Sequence, residues 1–165
     1  MIKRIFIAIK VELSEEMTRI LSSLRAGLKN ENIKWTVQDN IHITLAFIGN
    51  ADASQIEIIQ SMLMERCSKS KKIELIIRDI GLFKNFSDPR VIWAGIEPSE
   101  DLVQMQRLIF NGLRVSDIMI EDRPFKPHLT LGRIKRINDK SNLRKLTEKF
   151  QNTEIPKNSS QRDWI

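Results

Sequence analysis

The chain contains no tyrosine, one cysteine and two histidines among its 165 residues. A single cysteine, Cys67, excludes an intramolecular disulfide and is too few for a cysteine-based zinc site. It lies in a stretch of helical periodicity, which favours a small buried hydrophobic residue over a nucleophile. With two histidines and no carboxylates clustered near them in the sequence, we expect no metal site and no cofactor.

Long apolar runs are also missing. No segment approaches the roughly 18 apolar residues that a membrane span requires. The apolar run near the N-terminus ends at Lys10 and is followed by Glu12, so it is too short for the hydrophobic region of a signal peptide. These absences lead us to expect a cytoplasmic protein that does not associate with a membrane.

What is present is typical of one globular domain over residues 1–165, expected to be a monomer. The composition is 41% hydrophobic and 29% charged, which is ordinary for a folded protein in water. The formal net charge is +6 and the isoelectric point is near 9.6. A basic balance of this size favours a polyanionic partner.

Both histidines stand in the same local pattern. His42 is followed by Ile, Thr44 and Leu, and His128 by Leu, Thr130 and Leu. The alternation of polar and apolar residues, with β-branched residues among them, is typical of a strand. Because residues i and i+2 of a strand share a face, each motif is predicted to present an imidazole beside a hydroxyl, opposite an apolar core face.

The two motifs belong to a longer internal repeat, approximately residues 4–68 and 90–150. In each half, an apolar strand that begins with arginine is followed by a helix with a serine cap and acidic first turn, and then by the histidine strand. Equivalent residues are 85 or 86 positions apart. Such a duplication predicts two lobes related by an approximate two-fold axis, which would bring both histidine strands to one central cleft.

With these motifs, the sequence resembles the two-histidine phosphoesterases, specifically the RNA 2′,3′-cyclic phosphodiesterases, also called the 2′-5′ RNA ligase family. The segments that carry the resemblance are Phe6–Ile9, Trp35, Asn40–Gly49, Gly81–Phe83, Arg90–Trp93 and Arg123–Arg133. The resemblance implies a bilobal α+β fold whose antiparallel sheets flank a central cleft. It also implies metal-independent action on RNA with a 2′,3′-cyclic phosphate end, or on a cyclic nucleotide.

The tail, residues 151–165, departs from this family's pattern. Members usually continue after the fourth helix with another strand and a segment that contains glycine and tyrosine. Here the tail is polar and contains Pro156. The sequence therefore gives no support for the final strand, and one sheet edge is expected to be incomplete.

The two motifs suit the opening of a cyclic phosphodiester, which needs a base for the attacking water and an acid for the departing ribose oxygen. Imidazole titrates near neutral pH and can fill either role. We interpret His42 as the proton donor and His128 as the proton acceptor, without excluding the reverse. Thr44 and Thr130 are expected to donate hydrogen bonds to phosphate oxygens. Arg133 can join them only if a twist or bulge turns it toward the cleft.

Substrate contacts are predicted around the second motif. Phe125 is the candidate for stacking on a base, and Arg123 and Lys126 are candidates for the RNA backbone. Phe47, three residues after Thr44, is expected to face away from the cleft. A basic rim is predicted from Lys84, Arg90, Arg123, Lys126, Lys135 and Arg136.

Two other functions fit the same residues. A 5′-hydroxyl could replace water, which would make the reaction a 2′-5′ RNA ligation at the same site. A non-catalytic RNA-binding module on the same fold is the other alternative. Two histidines with paired threonines argue against that module, because arginine or lysine would serve phosphate binding alone better.

Overall fold

A computed structural model describes residues 1–121 and 123–164, with side chains up to residue 155. Seven strands and four helices follow one another along these residues. A short 3₁₀ turn at Gln38–Asn40 precedes the third strand. The elements are β1 (Lys3–Val11), α1 (Glu15–Gly27), β2 (Asn32–Trp35), β3 (His42–Ala51), α2 (Ala53–Cys67), β4 (Glu74–Phe83), β5 (Val91–Ile96), α3 (Glu100–Val115), β6 (His128–Arg136), α4 (Lys140–Glu148) and β7 (Glu154–Trp164).

Helices α1 and α3 begin where the sequence predicts. The side chains of Ser14 and Ser99 accept hydrogen bonds from the backbone N–H groups of Met17 and Leu102, which satisfies one donor at the start of α1 and of α3. Acidic residues occupy the first turn of both helices, where the helix dipole favours negative charge.

The seven strands form one antiparallel sheet in the order β2-β6-β3-β1-β7-β4-β5. Strand β6 also pairs with β5, so the six strands other than β2 close into a ring. The α+β class with antiparallel strands is confirmed, and strand pairing links the two halves of the repeat on both sides of that ring. Among the described residues, no helix has the length and apolar character of a membrane span.

Each helix of the first half of the repeat packs against a helix of the second half. α2 of the first half contacts α3 of the second, and α1 contacts α4. At these crossings, Gly112 approaches Met62 and Gly27 approaches Leu146. The core therefore includes residues of both halves, among them Met17, Leu24, Ile77, Leu102 and Ile109, which are all fully buried.

The expectation of an incomplete sheet edge in the tail is wrong. Residues Glu154–Trp164 form β7, which lies between β1 and β4 and pairs with both. The polar composition of the segment carries no strand signal of its own. Two neighbouring strands whose edges would otherwise be unpaired supply the hydrogen bonds that hold it extended.

Candidate active site

The strands β3 and β6 both begin at a histidine and meet at one point. Ile43 pairs with Leu129 across the two antiparallel strands, and both side chains are fully buried. These residues occupy the same position in the two motifs, between histidine and threonine. The approximate two-fold axis of the repeat therefore passes through this pair.

The residues next to Ile43 and Leu129 along each strand must point away from the core. With the strands antiparallel at this pair, His42 stands opposite Thr130 and Thr44 stands opposite His128. The two histidines take diagonal positions, which in a regular ladder lie about 7–8 Å apart. All four side chains are partly exposed and line one cleft. The structure thus brings the two predicted imidazole–hydroxyl pairs together.

One hydrogen bond orients each imidazole. Nδ1 of His42 lies 2.7 Å from the carbonyl oxygen of Asn40, and Nδ1 of His128 lies 2.7 Å from that of Lys126. Because a carbonyl can only accept, Nδ1 must carry the proton in both rings. Nε2 is then an acceptor in the neutral ring and a donor in the imidazolium, and is the nitrogen available to a substrate.

The aromatic contacts of the two histidines differ. The ring of Phe6 is stacked on that of His42, with centroids 5.1 Å apart and planes inclined by 24°. Phe83 meets His128 edge-on, with centroids 4.7 Å apart and planes inclined by 83°. Phe83 also packs on Trp93, at 5.5 Å between centroids. The two histidines, which are equivalent in the repeat, thus lie in different surroundings.

A β-bulge in each histidine strand decides which later residues face the cleft. In β6, Thr130 pairs with Trp93 and Gly132 with the preceding residue, Ile92, so Leu131 is the extra residue. Leu131 and Gly132 are both buried, and Arg133 is exposed. The bulge therefore returns Arg133 to the face of His128 and Thr130, and the residue lines the cleft.

The same bulge in β3 overturns the expectation for Phe47. Ala46 pairs with Ile7 and Thr44 with Ala8, so Leu45 is the extra residue. Phe47 then shares the face of Thr44, lines the cleft and is 48% exposed. Simple alternation fails here because the bulge adds one residue to the count. Phe47 stands in the first repeat where Arg133 stands in the second.

The cleft has a volume of about 690 Å³. Helix α3 contributes Gln106 and Phe110 to its wall, and the approach to β6 contributes Glu121 and Pro124. Every candidate site residue predicted from the sequence lines it: His42, Thr44, Arg123, Phe125, Lys126, His128, Thr130 and Arg133.

Several basic residues of the predicted rim are neutralised by neighbours. Lys84 and Arg90 both pair with Asp88, at 2.9 Å and 3.0 Å. The hydrogen bond from Lys84, with a further one from Arg90, holds the pKa of Asp88 below its usual value. Arg123 pairs with Glu121 at 2.9 Å. These three cations are therefore less available to a phosphate than the sequence suggests.

Potential metal ligands and nucleophiles are sparse in the described part of the chain. It holds no group of three or more histidine, cysteine or acidic side chains placed to bind a metal ion. Burial raises the pKa of the Cys67 thiol above its usual value, although Arg66 opposes the shift. A buried thiol that stays protonated is a poor nucleophile, which agrees with the interpretation of Cys67 as a core residue.

Sequence reasoning missed the groups that orient the histidines. Asn40 and Lys126 accept through their backbone oxygens, so the identity of their side chains does not indicate this role. Their position does indicate it, because each lies two residues before its histidine. Phe6 and Phe83 belong to the segments that carry the resemblance, but their contacts with the two imidazole rings depend on strand pairing.

The chain matches the family model of the LigT like Phosphoesterase over residues 7–93 and 96–160. A relative from Thermotoga maritima, called an RNA 2′,3′-cyclic phosphodiesterase, is 31% identical over 139 residues. These residues are 83% of this chain and 73% of the relative.

Solved structures have the same fold. A protein of Thermus thermophilus aligns with a TM-score of 0.68 and 24% identity, over 83% of this chain and 77% of that one. Escherichia coli LigT, crystallised with 3′-AMP, aligns with a TM-score of 0.62 and 24% identity, over 84% of this chain and 78% of its own.

Proposed function

The chain belongs to the LigT-like phosphoesterase family, and from that premise we propose that it hydrolyses 2′,3′-cyclic phosphate ends of RNA to 2′-phosphomonoesters. The observation that carries the proposal is the crossing of β3 and β6, which sets two histidine–threonine pairs on one face. The Thermotoga maritima relative supports the substrate class through its name.

The diagonal arrangement suits an in-line displacement. A water molecule attacks phosphorus while the bond to O3′ breaks, and the two oxygens lie on opposite sides of the phosphorus atom. In our proposal, Nε2 of His128 takes the proton of the water and Nε2–H of His42 gives a proton to O3′. The product carries a 2′-phosphate and a 3′-hydroxyl, and both histidines have exchanged protonation states.

The remaining cleft residues are assigned to the phosphate and to substrate binding. Thr44 and Thr130 donate hydrogen bonds to the non-bridging oxygens, which carry increased charge in the transition state. Arg133 offers a guanidinium on the same face, where paired donors suit a phosphate. Phe125 is partly exposed in the cleft wall and is assigned to the nucleobase. Arg123 and Lys126 are exposed at the same wall and are assigned to substrate binding at the terminal nucleotide.

Two contacts distinguish the surroundings of His42 from those of His128. The ring of Phe6 is stacked on the imidazole of His42, and Lys10 is its cross-strand partner. His128 instead meets Phe83 edge-on. A change of leaving group can test whether the two histidines have separate roles.

The proposed mechanism uses no metal ion, because two imidazoles supply both proton transfers and the hydroxyl and guanidinium groups stabilise the charge. The test is to incubate the protein with 2′,3′-cyclic AMP in EDTA and to compare the product with 2′-AMP and 3′-AMP by chromatography. We expect 2′-AMP. A complete loss of turnover in EDTA, restored by a divalent cation, would remove the metal-free mechanism.

The same experiment separates hydrolysis from the alternatives. Added RNA with a 5′-hydroxyl would yield a longer, 2′-5′-linked product if the protein joins ends. No turnover by the wild type, together with tight RNA binding, would favour the non-catalytic module. The control is the double variant His42→Ala/His128→Ala, which must not form 2′-AMP if the protein itself and not a contaminant is active.

A further inference from the structure

The rim of the cleft is electrostatically unequal, although the two halves of the repeat build it from equivalent strands. Beyond the second motif, β6 carries Arg133 and Arg136, and β2 runs beside it with Lys34. Lys34 pairs with Arg133 and Asn32 with Arg136. Arg133, Arg136 and Lys34 are all exposed.

Strand geometry places the three cations on the face of the proposed catalytic residues. Between their pairs lie Ile33 and Ile134, paired with each other and turned toward the core. A further bulge at Lys135 keeps Arg136 on the outer face, since Asn32 pairs with Arg136 and Ile33 with Ile134. The three cations therefore form a ribbon that runs outward from Thr130.

These cations lack the acidic neighbours that pair with Lys84, Arg90 and Arg123. Among the residues whose side chains the structure describes, no ion pair involves Lys34, Arg133 or Arg136, in contrast to Lys84 and Arg90. The nearby carboxylate of Glu31 accepts hydrogen bonds from the backbone of Asn138 and Asp139. Lys34 stands directly opposite Arg133, an arrangement of like charges that destabilises a strand pair unless an anion lies between them.

The equivalent exit beyond the first motif has a different character. Phe47 replaces Arg133 and Asn50 replaces Arg136. Glu121 borders this exit and donates its backbone N–H to the carbonyl of Phe47 at 3.4 Å. Arg4, the cross-strand partner of Asn50, is the cation on this side. A polyanion that leaves the site along β2 and β6 thus meets three exposed cations that have no ion pair among the described side chains. The other exit offers Phe47, Asn50 and the Arg123–Glu121 pair beside Arg4.

We propose that the RNA chain on the 5′ side of the cyclic phosphate lies along β2 and β6, over Arg133, Lys34 and Arg136. The proposal rests on the proposed function and adds the path of the substrate. From Thr130 to Arg136 the strand rises at most about 20 Å at about 3.3 Å per residue. That length accommodates at least two successive phosphates, so the protein acts on oligonucleotide ends better than on cyclic mononucleotides.

The test compares kcat/KM for a single-stranded hexanucleotide with a 2′,3′-cyclic end and for 2′,3′-cyclic AMP. Lys34→Gln/Arg136→Gln should lower the hexanucleotide value by about 3- to 10-fold and leave the mononucleotide value within about 2-fold. The slope of log(kcat/KM) for the hexanucleotide against log salt should become shallower by about 1.4, which is about 0.7 for each of two phosphates that the variant no longer neutralises.

Two variants serve as controls. Lys71→Gln/Lys72→Gln removes the same charge from exposed positions before the start of β4, at the end of that strand away from Phe83, and should leave both substrates unchanged. Arg4→Gln tests the other exit and should leave the hexanucleotide value unchanged. An equal loss with the Lys71 and Lys72 pair, a larger loss with Arg4→Gln, an equal loss for both substrates, or no loss at all would overturn the proposed path.

A binding measurement separates this proposal from the proposed function. Fluorescence anisotropy with a labelled hexanucleotide ending in 2′-phosphate reports affinity without turnover. If the wild type hydrolyses neither the cyclic hexanucleotide nor 2′,3′-cyclic AMP, the proposed function fails, and the path is decided by whether Lys34→Gln/Arg136→Gln weakens this binding by about 3- to 10-fold.

Discussion

At the scale of single residues, one hydrogen bond sets the chemistry of each histidine. The carbonyl of Asn40 or Lys126 fixes the proton on Nδ1 and leaves Nε2 for the substrate. Since the carbonyls belong to the backbone, this orientation survives substitution of either side chain. The two histidines then differ only through their neighbours, which is where their separate roles must originate.

If the histidines act as an acid–base pair, His42→Ala and His128→Ala should each lower kcat by about 10²- to 10⁴-fold. The double variant should lose much less than the product of the two factors, because the residues act in one step. Thr44→Ala and Thr130→Ala should cost less, since each removes one neutral donor. Steady-state kinetics on 2′,3′-cyclic AMP measure these losses, and a double variant with wild-type turnover would contradict the acid–base roles.

The leaving group separates the acid from the base. An aryl phosphodiester such as bis(p-nitrophenyl) phosphate releases a phenolate that needs no proton. If His42 is the acid, His42→Ala should lose much less activity on this substrate than on the cyclic nucleotide, whereas His128→Ala should lose activity on both. The reverse pattern would exchange the two roles, and equal losses on both substrates for both variants would argue against a dedicated acid.

At the scale of elements, the two bulges are what make the cleft. If the side chains alternated regularly through Leu131, Arg133 would lie on the core face of β6, and if they did so through Leu45, Phe47 would face away from the cleft. Bulges also bend and twist a strand locally. The strands that begin at His42 and His128 can thus pair at one point and then diverge around a substrate.

Side-chain packing between β4 and β5 supports the ring of His128. Gly81 of β4 lies so close to the indole of Trp93 that a Cβ atom there would overlap it. Trp93 packs on Phe83 and Phe83 on His128. Any displacement of the indole is therefore passed to the ring of His128.

Gly81→Ala should consequently lower the free energy of unfolding by about 1–3 kcal/mol and also lower kcat. Urea denaturation and kinetics on 2′,3′-cyclic AMP measure the two effects. Gly49→Ala is the control, because a Cβ there meets nothing within 4 Å while the φ of +83° strains a non-glycine residue. The control should lose stability with kcat retained. Wild-type stability of Gly81→Ala would contradict the packing argument.

At the scale of the whole molecule, the repeat does not divide the chain into two independent halves. Helices α1 and α4 pack together, as do α2 and α3, and β6 pairs with strands of both halves. Neither half can bury its own apolar faces alone. One domain over residues 1–165 and a monomeric state both stay predictions.

This interlocking predicts a single cooperative transition. In differential scanning calorimetry, the calorimetric and van't Hoff enthalpies should agree, and a fragment of residues 1–88 should show no cooperative unfolding. Two resolved transitions, or a fragment with a melting transition of its own, would show that the halves fold separately. Size-exclusion chromatography with light scattering would check the expected monomer on the same sample.

The local patterns in the sequence were sufficient for much of the fold. The serine caps, the helical periodicities and the strand alternation around His42 and His128 depend on neighbours along the chain, and they predicted the elements that carry the site. The α+β class was implied by the resemblance to the two-histidine phosphoesterases. The repeat predicted one shared cleft because both motifs are copies. All eight candidate residues line that cleft.

Tertiary structure decided what depends on partners distant in the chain. Phe47 and Arg133 face the cleft because of bulges, which exist only relative to the paired strands β1 and β5. β7 is a strand because β1 and β4 offer it hydrogen bonds on both sides. Lys34 lies opposite Arg133 because β2 pairs with β6, and no local pattern in the sequence brings these two cations together.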